Sequence, residues 1–470
     1  MRTHAEVTRD KMGGVATLLA VVKADCPTCQ LVGPVLAGLD VEVVSEDNDA
    51  GLERSWRLGI DTVPTLLRVD DAGVEVERIV GWSREQWESF THVSPLGDDL
   101  PPHRPGCASL TQDPDLVDSL AVRFGGSLLR SRRVELAELE DEHEAMFERG
   151  WTDGLPVVPP TEARVMRMLA GTTRAPDEIV AIVPPDLVEC TVEKVAVNAV
   201  MAGCKPEYLP VVLAALEGAC TDTFNIHGLL ATTWFSGPLL IVDGPITARI
   251  GMNSGVNAMG QGNRANASIG RALQLTIRNV GGGKPGGVDR ATLGWPGKYT
   301  FCFAEATATN PWESLSESRG VKGDAVTLFA AGGVQGVVDQ LSRTPESLVR
   351  SFAACLRVVA HPKLMVAFDA VLVVSPEHAR VFRDGGWDRA RVHAELDALL
   401  QVDGADAVQG AHGISEGIPK RLEGVTLPKF RPGGLLLAHA GGGAGLFSAI
   451  ICGWASGDVG SSPVTVQVTP

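Results

Sequence analysis

Residues 17–37 read TLLAVVKADCPTCQLVGPVLA, and the order of chemistry in them sets a fold. The aliphatic, β-branched run 17–22 predicts a buried strand, and Cys26-Pro27-Thr28-Cys29 then opens a helix with proline in its first turn. A thiol at a helix N-terminus sits at the positive end of the macrodipole, which stabilises its thiolate. Cys26 is therefore the candidate nucleophile. Cys29, one turn along, is placed to attack a mixed disulfide on Cys26, which is the resolving step of thiol exchange.

Outward from this stretch, apolar runs at 41–44, 65–69 and 74–80 predict further strands, with a polar helix through Trp56 and a turn at 70–73 between them. A CxxC is also half of a zinc site. The chain holds no second CxxC and no Cys/His pair at ligand spacing, which favours redox chemistry over a metal. Strand, CxxC, helix and then x-Pro-strand resembles the thioredoxin superfamily: Cys26 and Cys29 match its dithiol, and Val63-Pro64 matches its cis-proline position. The resemblance implies a thioredoxin-like domain over 1–92, with a redox-active Cys26–Cys29 disulfide and Pro64 in a structural role. Two departures bear on the thiols. Asp25 stands where the family has an aromatic, and the strand 17–22 carries no acid to accept a proton from Cys29.

At 470 residues the chain has room for about three domains. Its 41 Lys plus Arg against 57 Asp plus Glu give a formal charge of −16, which repels nucleic-acid backbones and anionic membranes. The residues before 23 lack the basic flank and small-residue cleavage site of a secretory leader. The nine cysteines, odd in number and scattered, do not form a secreted disulfide framework. A cytoplasmic protein is expected. The uncharged stretch 435–455 is long enough to span a bilayer, but glycines interrupt it and its periodicity changes as in a strand, turn and helix, so no membrane span is expected.

Residues 93–132 are rich in Pro and Gly at first and basic later, and read as a linker carrying Cys107. A thiol on such a segment is either an ordinary exposed cysteine or the client of the neighbouring dithiol. Residues 134–149 read as a charged amphipathic helix whose Glu142-His143-Glu144 lacks the second histidine of a zinc motif.

From 133 to 470 the pattern is that of a large α/β domain, divisible into 133–320 and 321–470. Helices are expected at 162–169, 192–203, 209–219 and 347–359, and strands at 239–242, 326–330, 371–374 and 435–438. The alternation predicts a layered α/β fold with a substantially parallel sheet. Two junctions echo each other, VTLFAAGGVQG at 326–336 and LLLAHAGGGAG at 435–445, each an apolar strand ending in a glycine turn before a helix. Neither carries a full dinucleotide fingerprint.

The segment 251–287 is dense in Gly and Asn and leads into a helix at 268–280, a pattern that offers an anion cradle at a helix N-terminus. Asn253, Asn257, Asn263 and Asn266 supply amides there, Arg264 and Arg271 supply charge, and Lys298 stands able to pair with Glu305 or to act on a substrate. The plainer account has the amides serving only the loop's own backbone. His439, at a strand end, is the histidine best placed for acid–base work with Glu305, unless it is a satisfied core imidazole. His227 falls in a turn and His378 near a helix start. Cys190 and Cys204 read as small core residues, and Cys204 and Cys302 are lesser candidates for a client thiol.

The stretches TDGLPVVPPTEARV, TVEKVAVNAVMAGCKPEYLPVV, NRANASIGRAL and NPWE, with the later SPEH, resemble bacterial proteins associated with the UGSC (seleno)proteins. That resemblance implies no activity, and it adds weight to Cys107 in RPGCAS as a working thiol. Three functions remain open. The first is a thiol-dependent enzyme, an oxidoreductase or a reductive C–X or C–S bond cleaver, acting on a small polar or anionic substrate. Cys26 and Cys29 would then regenerate a thiol such as Cys107 at the expense of a thiol reductant or reductase. The second is a redox-neutral lyase or hydratase using His439, Glu305 and the arginines. The third is a non-enzymatic thiol-protein partner or chaperone module. A homo-oligomer is compatible with each. The first requires Cys26 to be reachable from water.

Overall fold

The computed structural model describes residues 17–70, 73–126, 129–137 and 140–470. The leader reading, two residues of the 70–73 turn and parts of the 93–132 and 134–149 segments lie outside the described residues. The chain divides into two compact units, Met1–Leu128 and Leu129–Pro470.

In the first unit the elements run β1 (Thr17–Val22), α1 (Pro27–Ala37), β2 (Glu42–Ser45), α2 (Asp49–Arg57), β3 (Thr62–Val63), β4 (Thr65–Val69), β5 (Glu75–Val80), β6 (Trp82–Ser83), α3 (Arg84–Thr91), β7 (His103–Arg104), β8 (Cys107–Ala108) and α4 (Val117–Gly125). The sheet order is β2-β1-β4-β5, with β1 parallel to β2 and the other pairings antiparallel. Strand alternation divides the core. Leu19, Val21 and Leu67 pack with Val44, Ile60, Cys26 and Cys29, while Ala20 and Leu66 pack with Val32 and Leu36 of α1 and Trp87 and Phe90 of α3.

The segment expected to be a linker is folded into this unit. β7 pairs with β6, β8 pairs with β3, and α4 packs on α2. Buried Glu46 anchors the segment by accepting from the hydroxyls of Ser55 and Ser109 and from the Leu110 N–H at 2.9 Å. Gly106 is required for its close approach, since a Cβ there would lie 2.7 Å from the Val63 carbonyl oxygen.

The second unit begins with α5 (Glu142–Glu148), shorter than the expected 134–149 helix because Asp141 caps it by accepting from the His143 and Glu144 N–H groups. Next come α6 (Glu162–Leu169), β9 (Ile179–Val183), β10 (Val188–Thr191), α7 (Val192–Ala202), α8 (Leu209–Ala219), α9 (Ile226–Ala231), β11 (Gly237–Asp243), α10 (Ile246–Arg249), α11 (Arg264–Asn279), β12 (Cys302–Ala304) and α12 (Leu315–Ser318). The remainder is β13 (Ala325–Ala331), β14 (Gly333–Val338), α13 (Pro345–Leu356), β15 (Phe368–Val374), α14 (Pro376–Asp384), α15 (Arg389–Leu399), β16 (Gln401–Asp403), β17 (Thr426–Pro428), β18 (Leu435–His439), β19 (Phe447–Ala455) and β20 (Val464–Gln467).

Two four-stranded sheets, ordered β12-β11-β13-β20 and β18-β15-β19-β14, carry the unit. They pack face to face through Leu239, Ile241, Phe303 and Phe329 on one side and Val371, Val373, Leu436 and Ile451 on the other. The opposite faces carry helices. Leu240 and Val242 meet α7, α8 and α11, and Leu372 and Val374 meet α13, α14 and α15. The layers are thus helix, sheet, sheet, helix.

The expectation of a substantially parallel sheet is corrected. In each sheet only one of three pairings is parallel, β11 with β12 and β15 with β18. The expected division near residue 320 is corrected as well. β13 and β20 lie beyond it but belong to the first sheet, with β11 and β12. Both glycine junctions lead into strands, β14 and β19, rather than helices. Among the described residues no helix is long and apolar enough to cross a membrane.

The two halves repeat one plan. β11 and β15 are equivalent by pairing, and so are β12 and β18. The sequences agree at these places, DGPITAR after β11 against VSPEHAR after β15, and AEA at 304–306 against AHA at 438–440. Glu305 and His439 therefore occupy equivalent positions.

Candidate functional site

Three sulfurs meet in the first unit. Cys26 is the N-cap of α1, and its Sγ accepts from the Cys29 N–H at 3.3 Å while lying 3.6 Å from the Val63 carbonyl oxygen. Val63 is the register partner of Cys107 across β3 and β8, which packs Cys107 against Cys26 and Cys29. Thr28, inside the CxxC, donates to the Pro105 carbonyl at 2.7 Å and ties the loop to the strand carrying Cys107. The Val63–Pro64 peptide is cis.

The thiols differ in acidity. Burial raises Cys26, but hydrogen bonds from Cys107 and from the Cys29 N–H more than offset it, so its pKa lies below the ordinary thiol value. Burial pushes Cys29 up to about 12, with Cys26 adding to the rise. Cys107 is raised because its hydrogen bond to Cys26 holds its proton, with burial second. The negative charge of the cluster therefore belongs on Cys26.

The expected openness of Cys26 is corrected. Its relative exposure is 0%, Cys29 is buried as well, and Cys107 is the partly exposed residue of the three. Cys29 lines a cavity of about 390 Å3 with Lys23, Gln30 and Asp47. Among the described residues no group of three or more His, Cys, Asp or Glu is arranged to hold a metal.

In the second unit the Gly/Asn loop turns its polar groups on itself. Asn263 caps α11 by accepting from the Asn266 N–H at 3.0 Å and donates to the Gly251 carbonyl at 2.8 Å. Asn266, 3% exposed, accepts from the Asn253 N–H and donates to the carbonyls of Asn253 and Ala258. Asn253 and Asn257 donate to the carbonyls of Val256 and Gln261. Arg264 donates to the Gly203 carbonyl, and Arg271 makes a two-pronged pair with Asp153 at 2.7 and 2.8 Å. The helix expected at 268 starts at Arg264, so Arg264 and Asn266 belong to its first turn. These six side chains hold the loop and its surroundings, and the plainer account fits them better than an anion cradle.

Lys298 pairs with Asp289 at 2.8 Å, and the expected pairing with Glu305 is not formed. Glu305, 1% exposed, accepts from the N–H groups of His439 at 3.1 Å and Leu315 at 2.6 Å and from the Asn310 amide at 3.0 Å, with Arg389 at 4.0 Å. His439 is fully buried. Its Nδ1 lies 2.9 Å from the Val374 carbonyl and so carries the proton, leaving Nε2 to accept from Thr309 at 3.0 Å. Burial lowers its pKa, and it is a neutral, satisfied imidazole. The structure brings Glu305 and His439 together through a backbone N–H, not as a side-chain acid–base pair. Neither lines the cavity of about 290 Å3 beside them, which Asn310, Trp312 and Ser314 help to form.

Burial pushes Glu305 up to about 7, against the Leu315 N–H and Arg389, which favour its charge. A carboxyl whose folded pKa exceeds its unfolded value contributes stability fully present below the unfolded pKa and lost as pH rises through the folded one. Stability is therefore expected to fall between about pH 5 and 7, with a contribution from this group of at most ~1.4 kcal/mol per pH unit. Glu305→Gln removes that part of the slope on top of a constant loss, because one amide face cannot accept. Urea titrations of both proteins from pH 5 to 8 test this, and identical slopes would contradict it.

His378, fully buried, bonds the Ser448 hydroxyl and the Asp339 carbonyl. Cys204 and Cys302 are core residues at 6% and 5% exposure, and burial raises both thiols. Sequence reasoning missed Glu46 and the strand pairing that brings Cys107 to Cys26. The serine and threonine run after Cys107 was the available signal for a segment tied down rather than free. A scan with protein-family models finds no match to this chain, and a search of curated proteins finds none either.

Proposed function

The reading that needed an open Cys26 falls with its burial; we propose instead that the first unit is a thioredoxin-like module and the whole chain a thiol-dependent enzyme in which Cys107 meets the substrate and Cys26 and Cys29 regenerate it. The observation that carries this reading is the packing of the partly exposed Cys107 against the buried Cys26 and Cys29, and the lowered pKa of Cys26 agrees with it. A substrate disulfide exchanges with Cys107, releasing one thiol and leaving a mixed disulfide. The Cys26 thiolate attacks the Cys107 sulfur and expels the second thiol, forming Cys26–Cys107. Cys29, once deprotonated, attacks Cys26 and frees Cys107 as a thiolate. One disulfide is reduced to two thiols while Cys26 and Cys29 lose two hydrogens to form their disulfide. A thiol reductant or reductase returns it to the dithiol, entering at the cavity beside Cys29. Unpaired thiols of this kind suit a reducing compartment such as the cytoplasm. The likeness of the second unit to UGSC-associated proteins belongs to the same reading, which gives that unit the binding of the small polar or anionic substrate.

The lyase reading loses support from the buried, satisfied His439. The test is disulfide mapping after one equivalent of glutathione disulfide. Cys29→Ser is expected to stall as Cys26–Cys107, whereas the unaltered chain proceeds to Cys26–Cys29. If Cys29→Ser accumulates no Cys26–Cys107 disulfide, the relay is wrong.

A further inference from the structure

A cavity of about 630 Å3 in the second unit lies between α9, the start of β11, one face of α11 and the loop 283–299. That volume is in the range of small-molecule sites. Its walls hold an unusual set of polar atoms. Among the described residues ten buried side-chain nitrogens and oxygens lack a hydrogen-bond partner, and four of them belong to side chains lining this cavity: the Ser236 hydroxyl, Gln274 Nε2, Arg278 Nε and Trp295 Nε1. All four can donate. Ser236 is 1% exposed. Buried donors without acceptors cost desolvation free energy with no return, which makes a group of them around one cavity a feature to be explained.

The charges decide what would complete the site. Gln274 and Arg278 are one turn apart on α11 and share a face. The two acids in the cavity are already held, Asp289 by Lys298 and Asp153 by Arg271. Arg278 has no ion-pair partner among the described residues. One positive charge is thus left over, ringed by neutral donors and by the apolar walls of Leu229, Leu230 and the Trp295 ring. A dianionic phosphate would be matched by neither the single charge nor the apolar surface.

We infer that this cavity binds a small organic monoanion, a carboxylate with an aliphatic or aromatic body, its oxygens received by Arg278, Gln274 and Ser236. This deepens the substrate clause of the proposed function and names a different place from the Gly/Asn loop, but the binding does not depend on Cys26. The test is isothermal titration of the full chain with phenylacetate and with hexanoate, and with phenylacetamide and inorganic phosphate for comparison. At least one carboxylate is expected to bind saturably at one site per chain, more tightly than phosphate or the amide. Arg278→Gln is expected to raise its Kd about tenfold or more, the loss of a charged hydrogen bond. Ser236→Ala, which removes only an unpartnered hydroxyl, should weaken binding without lowering the thermal midpoint, and so serves if Arg278→Gln does not fold. Absence of binding by both carboxylates, equal binding of phosphate, or an unchanged Kd in a folded Arg278→Gln protein would overturn the inference. Cys26→Ser should bind as the unaltered chain does, so loss of thiol exchange and loss of binding are read separately.

Discussion

Cys107→Ser will slow the reaction of the reduced protein with a bulky aromatic disulfide. Cys26 has no exposed surface, so without Cys107 the reagent must wait for the strand carrying residue 107 to lift away. Openings of that kind populate roughly 0.1–10% of molecules, which predicts a fall of about ten- to a thousandfold in the first step. The substitution also alters the hydrogen bond that helps lower the Cys26 pKa. In the proposed relay the entering thiol is Cys107, whose pKa is raised, so the observed rate should keep climbing with pH past the range where an ordinary thiol levels off. Stopped-flow absorbance from pH 6 to 10 reads both effects. An unchanged rate in Cys107→Ser would place the point of entry elsewhere.

The contrast between Cys26 and Cys107 bears on how much the chain discloses of itself. The CxxC, the helix it opens and the strand positions were legible because each depends on local chemistry: a proline in the first helical turn, a β-branched run, a capping threonine at 161. The nearness of Cys107 to Cys26 was not legible, because a two-residue strand pairing between positions 63 and 107 leaves no periodic trace. The parallel-sheet expectation failed for a different reason. Continuous apolar runs mean that both faces of a strand are buried. In the second unit each sheet is covered by helices on one face and by the other sheet on its second, so antiparallel strands take on the same composition. The echo between 326–336 and 435–445 was real as composition but joined inequivalent junctions, whereas the informative repeat was AEA against AHA at the ends of β12 and β18. In the Gly/Asn loop the amides' destinations depend on which carbonyls the folded loop presents, and a list of residue types does not contain that.

The pairing of Glu305 with its surroundings gives the second large effect. Arg389→Met should destabilise the second unit by ~3–5 kcal/mol at neutral pH, the usual consequence of removing one partner from a buried charge pair. Arg389 is 7% exposed, donates to the carbonyls of Leu437 at 2.8 Å and Glu313 at 2.6 Å, and lies 4.0 Å from Glu305. Two parts of the loss can be told apart. The orphaned carbonyls cost the same at every pH. The Glu305 part does not, because Arg389 helps hold that carboxyl down at about 7, and without it the folded pKa moves higher still. A group raised further above its unfolded value keeps its stability at low pH and loses it as pH rises through the folded pKa. The penalty of Arg389→Met should therefore be smaller at pH 5.5 than at pH 8.5. Adding Glu305→Gln should cancel that dependence, leaving a coupling of about 1–3 kcal/mol in the double-mutant cycle at the higher pH. Urea unfolding of the four proteins at both pH values measures this. A penalty equal at the two pH values would mean that the arginine serves only the two carbonyls, with the charge of Glu305 balanced by the N–H groups of His439 and Leu315 alone.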